Sequence, residues 1–168
     1  QPPVVGSGAI NSYLCAMTVK DVTGQEARKA SLVRMADNGR VSHAQLFVGR
    51  EGTGALPLAL AFAQYINCTD RQPGDSCGVC PSCVQMGGLA HPDVHYVYQV
   101  NKSKSAESTG GGDGDKPVSD HFINKWREQV LKAPQTGYFS EQMWYKTIDL
   151  DNKQGNISRY EADRIIHK

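Results

Sequence analysis

Four cysteines gathered in one short stretch constrain this chain more than any other feature. They fall as Cys68-x8-Cys77-x2-Cys80-x2-Cys83, while the fifth, Cys15, lies far from them. A disulfide-stapled secreted domain spreads its cysteines along the chain, so clustering of this kind points to a metal. Zinc takes four soft ligands in a tetrahedron, and each C-x2-C step lets two thiolates reach one ion across a tight turn. Gly78 and Pro81-Ser82 supply turn residues between the last three sulfurs. Four cysteines leave an ion no open position, which makes the expected site structural rather than catalytic. The competing reading is a redox pair. Redox motifs carry two cysteines at a helix start, not three in a C-x2-C-x2-C run. Cys68, Cys77, Cys80 and Cys83 are therefore the expected zinc ligands, in a module spanning 68–90, with Cys68 arriving from the end of a helix. His91 precedes Pro92 and reads as a turn residue, since the sulfurs already satisfy an ion.

The chain has 168 residues, enough for one domain with a core. Its formal charge of +1 gives no basic field that would advertise nucleic acid. It has no apolar run long enough to cross a bilayer. Gln1–Ala16 lacks the basic start and apolar middle of a secretory signal, and reads as a leader or cloning remnant before a native start at Met17. A cytoplasmic location is expected. From Met17 onward, helical and strand patterns alternate. Gln25–Asn38 reads as a helix with Leu32, Met35 and Ala36 on one face and Gly39 at its end. Ala44–Val48 reads as a buried strand of a parallel sheet. Leu58–Ile66 is apolar on nearly all sides, the mark of a buried helix, and Pro57 is compatible with its first turn. Val94–Val100, rich in valine and tyrosine, reads as a second strand. Residues 102–116 hold too little apolar surface to fold and read as a flexible loop, with Lys102 and Lys104 solvated. Ser119 or Asp120 is expected to cap a helix carrying Phe122, Trp126 and Val130, and Ser158-Arg159-Tyr160-Glu161 fits a capping box. Helical spacing makes Phe122, Trp126 and Trp144-Tyr145 core or interface residues rather than a platform for bases. The expected fold class is α/β.

Between the first strand and the buried helix lies Gly49-Arg50-Glu51-Gly52-Thr53-Gly54. A strand before it and a helix after it are the setting of a phosphate-binding loop, and Gly49, Gly52 and Gly54 are its candidate residues. A working loop continues with Lys, which contacts the terminal phosphates, and Ser or Thr, which holds magnesium. Ala55 and Leu56 stand at those positions. Hydrolysis of a nucleoside triphosphate should fail here, and only weak phosphate binding by backbone amides at the helix N-terminus is left. On these residues alone, an ordinary glycine-rich turn remains equally open.

Taken together, Asp21–Glu26, Ser42–Phe47, the glycine loop, the cysteine module and His91-Pro92-Asp93 resemble, in the same order, the AAA+ clamp-loader subunits of bacterial DNA polymerase III. The resemblance covers roughly Val19 to Lys168. It is closest to the delta-prime subunits, and Pro117–Asp120 and Asn152–Gly155 are similar to the variant of the Bacteroidetes lineage. It implies a partial three-layer αβα AAA+ domain with parallel strands and an inserted zinc module. Cys68, Cys77, Cys80 and Cys83 match the family's zinc ligands, Gly49, Gly52 and Gly54 its phosphate loop, and Asp21–Glu26 the segment bordering the adenine pocket in active relatives. The gamma/tau motor subunits share the module but keep an intact loop. Delta-prime subunits are commonly the non-hydrolysing stator, and Ala55 and Leu56 fit that role. The implied partners are gamma/tau and delta subunits and, indirectly, the sliding clamp and primer-template DNA. The chain stops short of the family's next strand, so the carboxylates, sensors, arginine finger and collar of a whole subunit are not in this sequence. Two other readings compete: a gamma/tau-type ATPase with an altered loop, and a free-standing zinc ribbon that binds nucleic acid.

Overall fold

The computed structural model describes residues 17–101, 118–132, 137–150 and 154–166. The expected leader at 1–16, the loop at 102–116 and Cys15, Lys102 and Lys104 fall outside them. Six helices follow in order: α1 (Glu26–Asp37), α2 (Ala55–Asn67), α3 (Pro81–Gly87), α4 (Ile123–Val130), α5 (Glu141–Thr147) and α6 (Arg159–Ile166).

The fold is organised around α2. Its Leu58, Ala61, Phe62 and Tyr65 pack with Val19, Val22 and Ala36 in one apolar cluster. Leu60, from another face of the helix, enters a second cluster with Leu89, Tyr98, Val100, Phe122, Trp126, Val130, Trp144, Ile148 and Leu150. A helix flanked on several sides must be apolar all round, as its sequence is. Phe122, Trp126 and Trp144 are buried, and Tyr98 stacks on Trp126 at a centroid distance of 4.3 Å while Trp144 meets Trp126 edge-on at 5.3 Å. These aromatics form core. They offer no exposed platform.

Helix α1 ends as its sequence predicts. Arg40 N–H donates to Met35 O (3.0 Å) and Gly39 N–H to Ala36 O (3.1 Å), which closes the last turn. Tyr65, near the C-terminal end of α2, donates its phenol proton to Asp37 Oδ1 at 2.6 Å and so ties the ends of α1 and α2 together.

The parallel strands expected at 44–48 and 94–100 are not formed among the described residues, which contain only the isolated bridges Gln72–Asp75 and Val100–Asn156. Strand-like alternation is nevertheless present. Gln45 and Phe47 are half-buried, Phe47 meeting Phe62, while Leu46 and Val48 are 88% and 83% exposed. Tyr98 and Val100 are buried and His95 and Gln99 exposed. A ladder needs successive pairs along a neighbour; among the described residues 94–100 has one, Val100–Asn156, and 44–48 has none. The 45–48 segment borders a cavity of about 330 Å³ that it shares with Gln25, Arg28 and Leu32 of the α1 region and with Thr53 and Ala55 at the start of α2.

The expected cap at Ser119 or Asp120 is also replaced. Residues 119–122 form a 3-10 turn before α4, and Ser119 N–H donates to Glu161 Oε2 at 2.6 Å. The Ser119 hydroxyl accepts from Tyr98 N–H (3.2 Å) and donates to Tyr98 O (3.3 Å). Ser119 thus joins the 94–100 segment to α6 instead of starting a helix. Ser158 does cap α6, accepting from Glu161 N–H at 3.3 Å.

Burial, then the hydrogen bond to Asp37, raise the Tyr65 phenol to about 12 from an ordinary 10.0. A folded-state pKa above the unfolded one stabilises the fold fully below pH 10 and is lost as pH rises through 12. Tyr65→Phe should cost about 1 kcal/mol at neutral pH and flatten this alkaline loss, as read by thermal melts across that range.

Candidate metal centre and glycine loop

The C-terminal end of α2 delivers the first sulfur. Cys68 is its C-cap residue, Cys77 lies in the following loop, Cys80 caps α3 and Cys83 sits in its first turn behind Pro81. The four Sγ atoms lie within 4.8 Å of one another. Cys68 and Cys77 sulfurs are 3.6 Å apart and Cys77 and Cys83 sulfurs 3.9 Å. A tetrahedron with metal–sulfur bonds of about 2.3 Å has edges of about 3.8 Å, so the set fits a tetrathiolate ion. All four are free thiols. Backbone N–H groups already point at the sulfurs: Cys77 to Cys68 Sγ (3.4 Å), Cys80 to Cys77 Sγ (3.3 Å) and Cys83 to Cys80 Sγ (3.4 Å). Such donors favour the thiolate that a metal requires. A hydrogen bond with Thr69 chiefly holds the Cys80 thiol down to about 5, against burial. Burial, then the hydrogen bond with Cys80, push Cys83 up. His91 stays out of the cluster, its Nδ1 accepting from Asp93 N–H at 3.2 Å.

The module is fastened to the core by polar contacts that spacing alone does not reveal. Asp75 accepts from Val19 N–H (2.8 Å) and Lys20 N–H (3.2 Å), capping the N-terminal 3-10 turn at 19–21. Buried Gln64 donates to Ser76 Oγ at 2.7 Å, and the Ser82 hydroxyl to Asn67 O at 2.7 Å. Arg71 donates to Tyr65 O (2.9 Å) and Ile66 O (2.8 Å) and lies 5.2 Å from the Tyr65 ring centroid. A cation at a helix C-terminus satisfies carbonyls that lack partners and opposes the dipole.

At the other end of α2, the glycine loop folds back on itself. Thr53 donates from its N–H (3.1 Å) and its hydroxyl (2.6 Å) to Arg50 O, and a Cβ at Gly49 would overlap that hydroxyl. Gln25 reaches across from α1 to donate to Thr53 O. Gly52 and Gly54 have φ of +76° and +80°, conformations that glycine adopts without strain. Ala55 and Leu56 occupy the first helical turn, where neither side chain offers a charge or a metal ligand. Pro57 follows them and has no N–H, so this helix start is also one donor short. That subtraction was visible in the sequence as a proline shortly after the last loop glycine. Tyr138, which no pattern singles out, lies against Gly54, and its Oη accepts from Thr23 N–H at 3.1 Å.

A glycine loop thus opens one end of α2, and four close cysteines that could hold a metal ion lie at the other. The family model described as DNA polymerase III, delta subunit, matches residues 24–143, and the chain belongs to that family. Membership supports the α/β, P-loop-type fold class. The chain is 35% identical over 100 residues to the DNA polymerase III subunit gamma/tau of Mycobacterium tuberculosis (strain ATCC 25618 / H37Rv), covering 60% of this chain and 16% of that protein. It is 38% identical over 87 residues to the DNA polymerase III subunit tau of Escherichia coli (strain K12), covering 52% and 14%. With the DNA polymerase III subunit delta' of Bacillus subtilis (strain 168) it shares 32% over 83 residues, covering 49% and 25%. The chain thus spans a quarter or less of each of these relatives. No solved structure gives a significant match. Among the described residues, no helix is long and apolar enough to cross a membrane.

Purified under reducing conditions, the chain should carry one metal ion, by elemental analysis. Cys80→Ser should lose it and lower the melting temperature, because metal binding at such sites contributes directly to folding.

Proposed function

We propose that this chain is the N-terminal part of a non-hydrolysing, delta-prime-type subunit of the DNA polymerase III clamp loader, of the variant found in the Bacteroidetes lineage. The carrying observation is the start of α2, where Ala55 and Leu56 replace the Lys and Ser/Thr of a working phosphate loop. Without that lysine and that magnesium-binding hydroxyl, the loop does not stabilise the charge that develops in phosphoryl transfer. The subunit then serves as a fixed member of the assembly beside gamma/tau and delta subunits. Their ATP-driven work opens the sliding clamp at primer-template DNA, and this chain contributes position and contact surface. Cys68, Cys77, Cys80 and Cys83 hold a structural zinc, the choice favoured by four thiolates in a closed tetrahedral set. Gly49, Gly52 and Gly54 are what is left of the phosphate loop.

The gamma/tau-type ATPase is the second reading, supported by the names of the relatives at 35% and 38% identity. The altered loop weighs against it. The zinc-ribbon reading is disfavoured by Arg71, the sole Lys or Arg between Cys68 and Leu89, because its guanidinium is committed to the end of α2.

The chain, alone and mixed with gamma/tau and delta subunits, is the material for the test. It should co-elute with them on gel filtration. Alone, it should release phosphate from MgATP at least ~100-fold more slowly than an intact gamma/tau subunit. Saturable MgATP binding with sustained phosphate release by the isolated chain would replace the stator reading with the ATPase one.

A further inference from the structure

We propose that Tyr138 is a built-in occupant of the glycine loop, a side chain that closes the N-terminal end of α2 to any phosphate-bearing ligand. The inference rests on the non-hydrolysing reading and deepens it: the site is filled from within, beyond having lost its lysine.

A glycine at the end of a phosphate loop lets a ligand approach the backbone closely. At Gly54 that approach is already taken. A Cβ placed there would lie 3.0 Å from Tyr138 Oη, 3.2 Å from Cε1 and 3.4 Å from Cζ, so the phenol ring rests directly on the glycine face. Gly54 is buried although it sits in a loop at a helix start. The same phenol oxygen accepts from Thr23 N–H at 3.1 Å, across 115 residues of chain, and spans the gap between the 21–26 segment and the loop.

Tyr138 is held in place by its neighbour. Gly137 N–H donates to Val130 O at 2.8 Å. Gly137 also lies so close to Pro57 that a Cβ would come within 3.2 Å of Pro57 Cγ. The residue before the ring is thus held between the end of α4 and the first turn of α2. Inside the loop, the Thr53 hydroxyl turns inward to Arg50 O over Gly49. A phosphate approaching Gly54 would have to displace the Tyr138 ring and break its hydrogen bond with Thr23 N–H.

The cost acts as a reduction in apparent affinity equal to the fraction of molecules with the ring displaced. If that fraction is about one in ten or lower, removing the ring raises affinity about tenfold or more once a binding loop is restored. The experiment restores it with Ala55→Lys and Leu56→Ser in the whole chain and titrates MgATP calorimetrically, with Tyr138 intact, as Tyr138→Phe and as Tyr138→Ala. The double variant should bind weakly, and adding Tyr138→Ala should tighten binding about tenfold. Adding Tyr138→Phe, which keeps the ring, should change it by less than about twofold. Equal affinities with Tyr138 intact and with Tyr138→Ala, both in folded protein, overturn the proposal, as does a tenfold gain from Tyr138→Phe alone. Should Tyr138→Ala fail to fold, the ring resonances of Tyr138 in the double variant decide instead. They must shift on saturation with MgATP, and unchanged resonances in the bound state overturn the plug. Failure of the stator reading shows elsewhere, as turnover by the unaltered chain.

Discussion

The burial of α2 on several faces is the constraint on which the rest of the structure depends. A helix with Leu58, Leu60, Ala61, Phe62 and Tyr65 all below a tenth exposed contributes to two apolar clusters at once. Each buried side chain of this size is worth about 1.5–3 kcal/mol, so no other element adds as much to holding the two clusters together. Burial also raises the cost of the helix's unpaired end groups, which water cannot freely satisfy. The N-terminal end is closed by the glycine loop and Tyr138, and the C-terminal end by Arg71, Ser82 and the approach to Cys68. The candidate phosphate loop and the candidate metal centre are therefore the two terminations of one rod. A change in either is felt through α2 by the core.

This arrangement explains why the cysteine module sits on a domain of this size. The segment 68–80 has no regular element of its own before α3, and on chain entropy alone it would not hold a fixed shape. Two kinds of tether fix it. Four cysteine sulfurs converge on one point, and Asp75, Ser76, Arg71 and Ser82 hydrogen-bond to the N-terminal turn and to α2. Three N–H groups aimed at three of the sulfurs show a backbone arranged for negative charge at the centre. A hydrogen bond with Thr69 lowers the Cys80 thiol while burial raises that of Cys83, so the four do not ionise together without a counter-ion. A soft divalent ion relieves that conflict.

What could be read from the sequence follows from how local each signal is. The tetrathiolate set and α1 and α2 depend on spacing within a few turns of chain, and the residues brought together at 68–83 are those the spacing names. The strand composition of 44–48 and 94–100 was equally legible, although the burial expected at 44–48 is not kept, Leu46 and Val48 being 88% and 83% exposed. The ladder was not, because pairing depends on what lies beside a strand and not on the strand itself. Ser119 misled for a related reason. A serine before an apolar-periodic run has the chemistry of a cap, but its N–H and hydroxyl are used by Glu161 and Tyr98, which are 42 and 21 residues away. Asp75 and Tyr138 carry no pattern of their own, and only the folded chain brings them to Val19 and Thr23.

The three glycines of the loop show why a motif and its function must be separated. Gly52 and Gly54 are needed at φ of +76° and +80° whether or not a phosphate ever binds, and Gly49 is needed because Thr53 lies over it. Backbone shape therefore accounts for all three, and their presence carries no evidence of a nucleotide. The position that shape leaves free is 55, where a helix accepts almost any residue, lysine included, whereas Leu56 packs in part against the core. Ala and Leu there, with Pro57 behind them, have removed charge, metal ligand and one donor while leaving the fold intact. Where geometry dictates the residue, chemistry is hidden; where geometry is indifferent, the residue reports it. At this helix start position 55 offers no charge for phosphate transfer, and the loop persists as the structural cap of a buried helix.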